Sequence, residues 1–202
     1  PADEVAGAEI VSATSDERAL ELSGFTESVN FGSSAAAVGA VDGGGARLAV
    51  GDPQYADPLG IAYLFGDLAP GEADAADIVL STITNSDVAG ARLGLGFAVG
   101  NAVFCGGVCD VDGDGSADLA VRIRAFEAAP AGSVLVFFGG PDWGDRSSGQ
   151  VDLPLFTPLE SLAFGGSPSF IPDANSDGFV DFIARDLPPT GSGLPGRVVY
   201  FQ

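Results

Sequence analysis

The residues of this chain best suited to chemistry are acids at alternate positions of one short loop, Asp110-Val-Asp112-Gly-Asp114-Gly-Ser116-Ala-Asp118. Carboxylates at loop positions 1, 3 and 5 can converge on one cation. Gly115 at position 6 permits the sharp turn, and the carbonyl of Ser116 at position 7 is a fourth oxygen donor. Hard oxygen ligands on a flexible loop favour Ca²⁺ over Mg²⁺, which demands octahedral geometry and gives up its waters reluctantly. An EF-hand needs Glu at position 12, where this chain has Val121 in an apolar strand pattern. The loop closes instead with Asp118 at position 9, so it is expected between two strands.

A second copy reads Asp173-Ala-Asn175-Ser-Asp177-Gly-Phe179-Val-Asp181. Asn175 keeps an oxygen at position 3 but removes a charge, which predicts weaker binding. Phe179 takes the position-7 carbonyl role, and position 12 is Ala184, again excluding an EF-hand. The alternative for both loops is a solvated Asp-Gly turn without an ion. A third turn, Asp42-Gly-Gly-Gly-Ala-Arg47, is shorter and has Arg47 where the closing Asp belongs. A cation there repels a metal, so this turn is expected to be a Gly-rich hairpin that binds none. Two bound Ca²⁺ ions are the predicted cofactors.

Cys105-Gly-Gly-Val-Cys109 precedes the first acidic loop. The pair is either a small disulfide ring, suited to an oxidising extracellular setting, or two free thiols. Two Cys and no His make a zinc site a poor fit. Arg122 and Arg124 share one strand face, where exposed pairing with carboxylates is the simpler reading over a ligand site. Trp143 is either an exposed recognition aromatic or, more commonly for such a residue, a plug between packed units.

The whole composition narrows the function. The 202 residues carry 28 acids against 8 bases, all Arg, for a net charge of −20, and lack His, Lys and Met. Such a charge repels phosphate, which argues against nucleic-acid binding through a basic face. It also disfavours anionic membranes. Without His there is no Ser-His-Asp or Cys-His catalysis. Paired carboxylates can perform glycosidase chemistry, but the clustered Asp are accounted for as metal ligands, so the chain is expected not to be an enzyme. Mean hydropathy is +0.30 with 46% hydrophobic residues, outside the regime of acidic disordered chains. The longest strongly apolar run, 134–138, is far short of the ~20 residues of a membrane span. No signal peptide is visible, and a start at Pro1 is compatible with a mature terminus.

The elements that must position these loops recur. Phe31-Gly32, Leu93-Gly94 and Phe164-Gly165 each open a small-residue segment. Each is followed by an Asp-bearing turn and a short apolar strand (47–50, 118–121, 181–184). A Gly-led apolar run then closes each unit (60–65, 132–137, 196–201). One more alternating stretch lies between units (19–25, 77–84, 150–156). About four short strands per unit, with no helical stripe, predict an all-β fold built of propeller-type blades.

These residues resemble the FG-GAP repeats of the integrin α-subunit β-propeller and its bacterial relatives. The resemblance is carried by the Phe-Gly and Leu-Gly pairs, by the two acidic loops, and by Val50-Gly51-Asp52-Pro53 at the Gly-Ala-Pro end of the motif. It runs from about residue 19 to residue 202. Units two and three depart from the Gly-Ala-Pro end, reading Val121-Arg122-Ile123-Arg124 and Ala184-Arg185-Asp186. It implies a non-enzymatic propeller at the cell surface or outside the cell, stiffened by Ca²⁺, in adhesion or in binding a protein or glycan. The expected organisation is an arm with a spare strand (1–18), a repeat without a metal loop (19–76), a repeat with the first loop and the cysteines (77–149), and a repeat with the second loop and no last strand (150–202).

Three blades fall short of the four to eight of a closed propeller. Further blades in a larger chain, or self-association, are therefore expected. A spare strand at 8–14 would complete the open third blade of a neighbour, giving a surface filament as the alternative function. Seven acids occupy ligand positions, and two Ca²⁺ would bring the charge from −20 to −16.

Overall fold

Alternation of apolar side chains along short strands decides which sheet faces are covered, and the fold is all-β. A computed structural model of the chain describes residues 20–23, 30–45, 47–55, 60–66, 71–74, 79–85, 92–99, 110–124, 133–156, 166–186 and 195–201. The strands are β1 (Leu20–Ser23), β2 (Ser34–Val38), β3 (Arg47–Asp52), β4 (Ile61–Phe65), β5 (Gly71–Asp74), β6 (Val79–Thr84) and β7 (Arg92–Val99). They continue with β8 (Leu119–Arg124), β9 (Ser133–Phe137), β10 (Arg146–Ser147), β11 (Leu153–Phe156), β12 (Gly166–Ile171), β13 (Asp181–Asp186) and β14 (Arg197–Phe201). The one helical element among the described residues is a single 3₁₀ turn at Ser148–Gln150. Among the described residues no helix is long and apolar enough to cross a membrane.

Three sheets carry the fold, antiparallel throughout except that β10 joins the edge of the first in parallel with β6. The first sheet is ordered β10-β6-β4-β3-β2, the second β11-β9-β8-β7 and the third β12-β13-β14. A separate parallel ribbon pairs β1 with β5. The stretch that stands between units in the sequence joins the sheet before it: β6 pairs with β4, and β11 with β9, both antiparallel. Its first counterpart, β1, pairs instead with β5. β6 and β11 thus pair back past the short strands β5 and β10, which join other partners.

Period-two alternation explains why the central strands read as unbroken apolar runs. All five residues of β4 are buried. Ala62 and Leu64 face a core shared with Leu119, Val121, Leu135 and Phe137, whereas Ile61, Tyr63 and Phe65 face the opposite side with Val50. Likewise Leu135 and Phe137 of β9 enter the core between the first two sheets. Val134 and Val136 enter the next core, with Phe170, Phe182 and Ala184 of the third sheet. The sheets thus pack face to face in series, each inner face closed by its neighbour.

The Phe-Gly pair of the first unit has a structural role. Phe31 packs on Tyr63 and Phe65 with ring centroids 5.7 and 6.1 Å apart. Gly32 adopts φ +83° and donates its N–H to the Gly51 carbonyl at 3.1 Å. Trp143 lies half-buried against the core between the first two sheets, and its indole N–H donates to the buried Ser81 Oγ at 2.8 Å. It plugs the seam, with the Arg146 guanidinium 4.9 Å from its ring centroid. Asp145 accepts from the Thr82 N–H and hydroxyl, tying the same segment to the edge of β6.

Candidate metal centre

The first acidic loop leads directly into β8, and its hydrogen bonds show how an alternating acidic sequence becomes a cradle. Asp110 Oδ1 accepts the N–H groups of Gly113 (2.6 Å) and Asp114 (3.1 Å), and its Oδ2 accepts Gly115 N–H at 2.7 Å. Asp112 Oδ1 accepts Asp114 N–H, and Asp114 Oδ1 accepts Ser116 N–H. Asp118 closes the loop: its Oδ2 accepts Val111 N–H at 2.5 Å and its Oδ1 accepts Gly139 N–H at 2.9 Å. Gly113 and Gly115 take φ +82° and +90°, a conformation that glycine adopts without steric cost.

The second loop repeats this bond for bond. Asp173 accepts from Ser176, Asp177 and Gly178, Asn175 Oδ1 from Asp177, Asp177 Oδ1 from Phe179, and Asp181 Oδ2 from Ala174. All six backbone bonds inside the first loop have their equivalents here. Position 4 also keeps its left-handed backbone, although the residue is Ser176, at φ +65°. Position 12 is Val121 in β8 and Ala184 in β13, both buried in sheet cores, so neither loop has an EF-hand's closing acid.

Ligand atoms of Asp110, Asp112 and Asp118 all lie within 4.8 Å of one another. Two carboxylates at that separation repel by roughly 3.5 kcal/mol at an effective dielectric of about 20. Asp118 is fully buried. Burial, together with the Asp112 and Asp110 charges and against its two N–H donors, pushes its carboxyl up to about 6. Asp112 is also raised, first by partial desolvation and then by Asp114 and Asp110. No ion pair from either loop occurs among the described residues. A loop in this state has two ways to lower its energy, taking up protons or taking up a cation.

The three turns answer the same electrostatic problem differently. In the second loop the Asn175 amide donates to Asp177 Oδ2 at 2.8 Å, so one repulsive contact becomes an attractive one. The Tyr200 hydroxyl donates to Asp181 Oδ2 at 2.6 Å and holds that carboxyl below its ordinary value, while the phenol itself is pushed up to about 12. In the first unit Arg47 donates to Asp42 at 2.9 and 3.3 Å. Although burial raises Asp42, this guanidinium and the Gly44 N–H bring it below the usual carboxylate range. The first turn carries its own cation.

The first loop is wedged between sheets. Ala117 N–H donates to the Ala40 carbonyl at 3.4 Å, and Gly140 N–H to the Val41 carbonyl at 2.6 Å. A Cβ on Gly39 would meet that of Ala117 at 2.8 Å, and one on Gly139 would strike the Ala117 carbonyl. These glycines let three backbone segments approach around Asp118.

Of the sequence-predicted ligands, Asp110, Asp112 and Asp118 come together directly. The equivalent trio by position is Asp173, Asn175 and Asp181. Asp114 and Asp177 orient the position-7 N–H groups of Ser116 and Phe179. Cys105 and Cys109 lie outside the described residues, as do Phe164, Gly165 and the stretch at 8–14. Arg122 is half-buried, which departs from the expected exposed arginine, and the Arg124 side chain lies outside the described residues. Two contributors carry no signal in the sequence, the Gly139 N–H on Asp118 and the Tyr200 hydroxyl on Asp181. Both come from later in the chain, and no local spacing announces them. No protein-family model matches the chain, and no curated protein matches it.

Proposed function

We propose that this chain is a non-enzymatic, calcium-binding β-propeller-type module of the FG-GAP kind, acting outside the cell in adhesion or in binding a protein or glycan. One observation carries the calcium reading: two loops of different sequence share six backbone-to-side-chain hydrogen bonds, position by position. In the first of them three carboxylates converge. Asp110, Asp112, Asp114, Asp118 and the Ser116 carbonyl would hold one ion, and Asp173, Asn175, Asp177, Asp181 and the Phe179 carbonyl a second. All are hard oxygen donors on a Gly-bearing loop, which suits Ca²⁺. The propeller reading is supported by three sheets packed in series, each built on consecutive antiparallel pairings, with every acidic turn entering the second of those strands.

Mass action supplies the test. An ion that binds the folded chain alone raises its stability, so chelation lowers the melting temperature by several degrees and added Ca²⁺ restores it. Asp112→Ala is expected to remove most of the first loop's share of that response, because this exposed carboxylate would be a ligand and the one N–H it accepts is also accepted by Asp110. A melting temperature indifferent to chelator would refute the calcium reading.

A second reading, a self-assembling subunit of an extracellular filament, is favoured by the outer face of the third sheet. Val198 there is 71% exposed and Tyr200 37%. Such an exposed apolar face invites another sheet. Negative-stain electron microscopy of the purified chain with Ca²⁺ decides it: regular polymers are expected on this reading, and dispersed single particles would sink it.

A further inference from the structure

The two acidic loops touch each other. Phe179, at position 7 of the second loop, is 47% exposed, and its ring edge lies over Gly113 at position 4 of the first. A Cβ on Gly113 would stand 3.0 Å from the Phe179 Cε1. Gly113 donates one of the hydrogen bonds that aim Asp110, and the Phe179 N–H donates to Asp177 Oδ1 at 2.9 Å. The ring therefore links the hydrogen-bond frame of one loop to that of the other. A shared wall reinforces the link: Val111 of the first loop and Val180 of the second both pack against the core holding Val134, Val136, Phe170 and Phe182.

From this contact, and resting on the calcium reading above, we propose that the two loops bind Ca²⁺ cooperatively. An ion in the second loop fixes the backbone of Phe179 and holds its ring on Gly113. Glycine loses more conformational freedom on ordering than any other residue, so a ring already seated there lowers the cost of closing the first loop around an ion. Linkage makes the effect reciprocal. Repulsion between the two ions works in the opposite sense. It is a through-space effect that salt removes, with a screening length of about 3 Å at 1 M, whereas the packing contact persists.

The experiment is calorimetric titration of the whole chain with Ca²⁺ in 1 M KCl, reading the affinity of the first loop. Disabling the second loop with Asp173→Ala is expected to weaken that affinity about fivefold or more, the lower end of ordinary allosteric coupling. Phe179→Ala is expected to weaken it by a similar factor, Phe179→Leu by less, and Asp173→Ala with Phe179→Ala by no more than Asp173→Ala alone. Matching circular dichroism with and without Ca²⁺ verifies that each variant is folded. Two ions bound with affinities indifferent to the neighbouring loop and to Phe179 would overturn the coupling and leave the calcium reading standing. Absence of any Ca²⁺ uptake by the unsubstituted chain would overturn both.

Discussion

Replacing Asp118 with Ala is expected to destabilise the chain more than any other single substitution in the first loop, and most of all with Ca²⁺ present. Asp118 is fully buried and accepts backbone N–H groups from two separate segments, Val111 and Gly139. Truncation leaves both part-buried donors without this acceptor, and a fully buried donor so stranded costs about 1–3 kcal/mol, which bounds the loss at roughly 6 kcal/mol. It also removes the one ligand that joins the acidic loop to the exit of β9. Without the ion, part of this loss is offset, since a buried charge held at neutral pH disappears with the side chain. The deficit is therefore larger in Ca²⁺ than in chelator. Asp112→Ala behaves differently. Its carboxylate is exposed and crowded by Asp110 and Asp114. The substituted chain should match or slightly exceed the unsubstituted one in chelator and fall below it in Ca²⁺. Urea unfolding of the three chains under both conditions checks the pattern, and an Asp118→Ala chain as stable as the original in Ca²⁺ would contradict it.

The pH dependence of stability is expected to change sign when calcium is added. Asp118 has an ordinary value of 3.8 and is pushed up to about 6 in the fold. A carboxyl raised in this way favours the folded state while it is protonated. Its contribution is complete below about pH 4 and is lost as pH rises through about 6. A rise of this size is equivalent to roughly 3 kcal/mol, so the ion-free chain weakens across this window, and Asp112 acts in the same sense. Asp42 and Asp181 are displaced the opposite way, and their stabilisation is lost only as pH falls below the ordinary carboxylate value. Together these four carboxyls favour the folded state of the ion-free chain most near about pH 4–5. With Ca²⁺ in excess the ion binds the deprotonated ligands, so stability rises with pH over the same interval. Melting temperatures from acid to neutral pH in small steps, in chelator and in Ca²⁺, give the two slopes. Parallel profiles would show that Asp118 and the ion do not share a site.

Much of the candidate centre was legible because its chemistry is local. Cation coordination by a nine-residue loop needs oxygen donors at alternate positions and a residue tolerant of positive φ at the turn. Residues 110–118 and 173–181 satisfy this within a single stretch of chain. The failure of the first turn to follow the pattern was equally legible from Arg47, whose guanidinium stands on Asp42. Strand positions followed from apolar alternation: the runs expected at 60–65, 132–137 and 196–201 are β4, β9 and β14.

Partnership was not legible, because it is settled by contacts between residues far apart in the chain. Nothing in Leu20–Ser23 announces a parallel pairing with Gly71–Asp74, nor in Arg146–Ser147 a pairing with Ile83 and Thr84. The partners that the closing Asp of each loop finds belong to the same class. Gly139 reaches Asp118 because β9 runs beside β8, and Tyr200 reaches Asp181 because β14 runs beside β13. The approach of Phe179 to Gly113 exists only because the second and third sheets pack face to face. The sequence by itself determined where oxygen donors alternate along a loop and where strands lie, since both depend on neighbours within a few residues. Only the tertiary structure decided which donors are buried, which charges are left opposed and which loops touch, since those depend on how the sheets close upon one another.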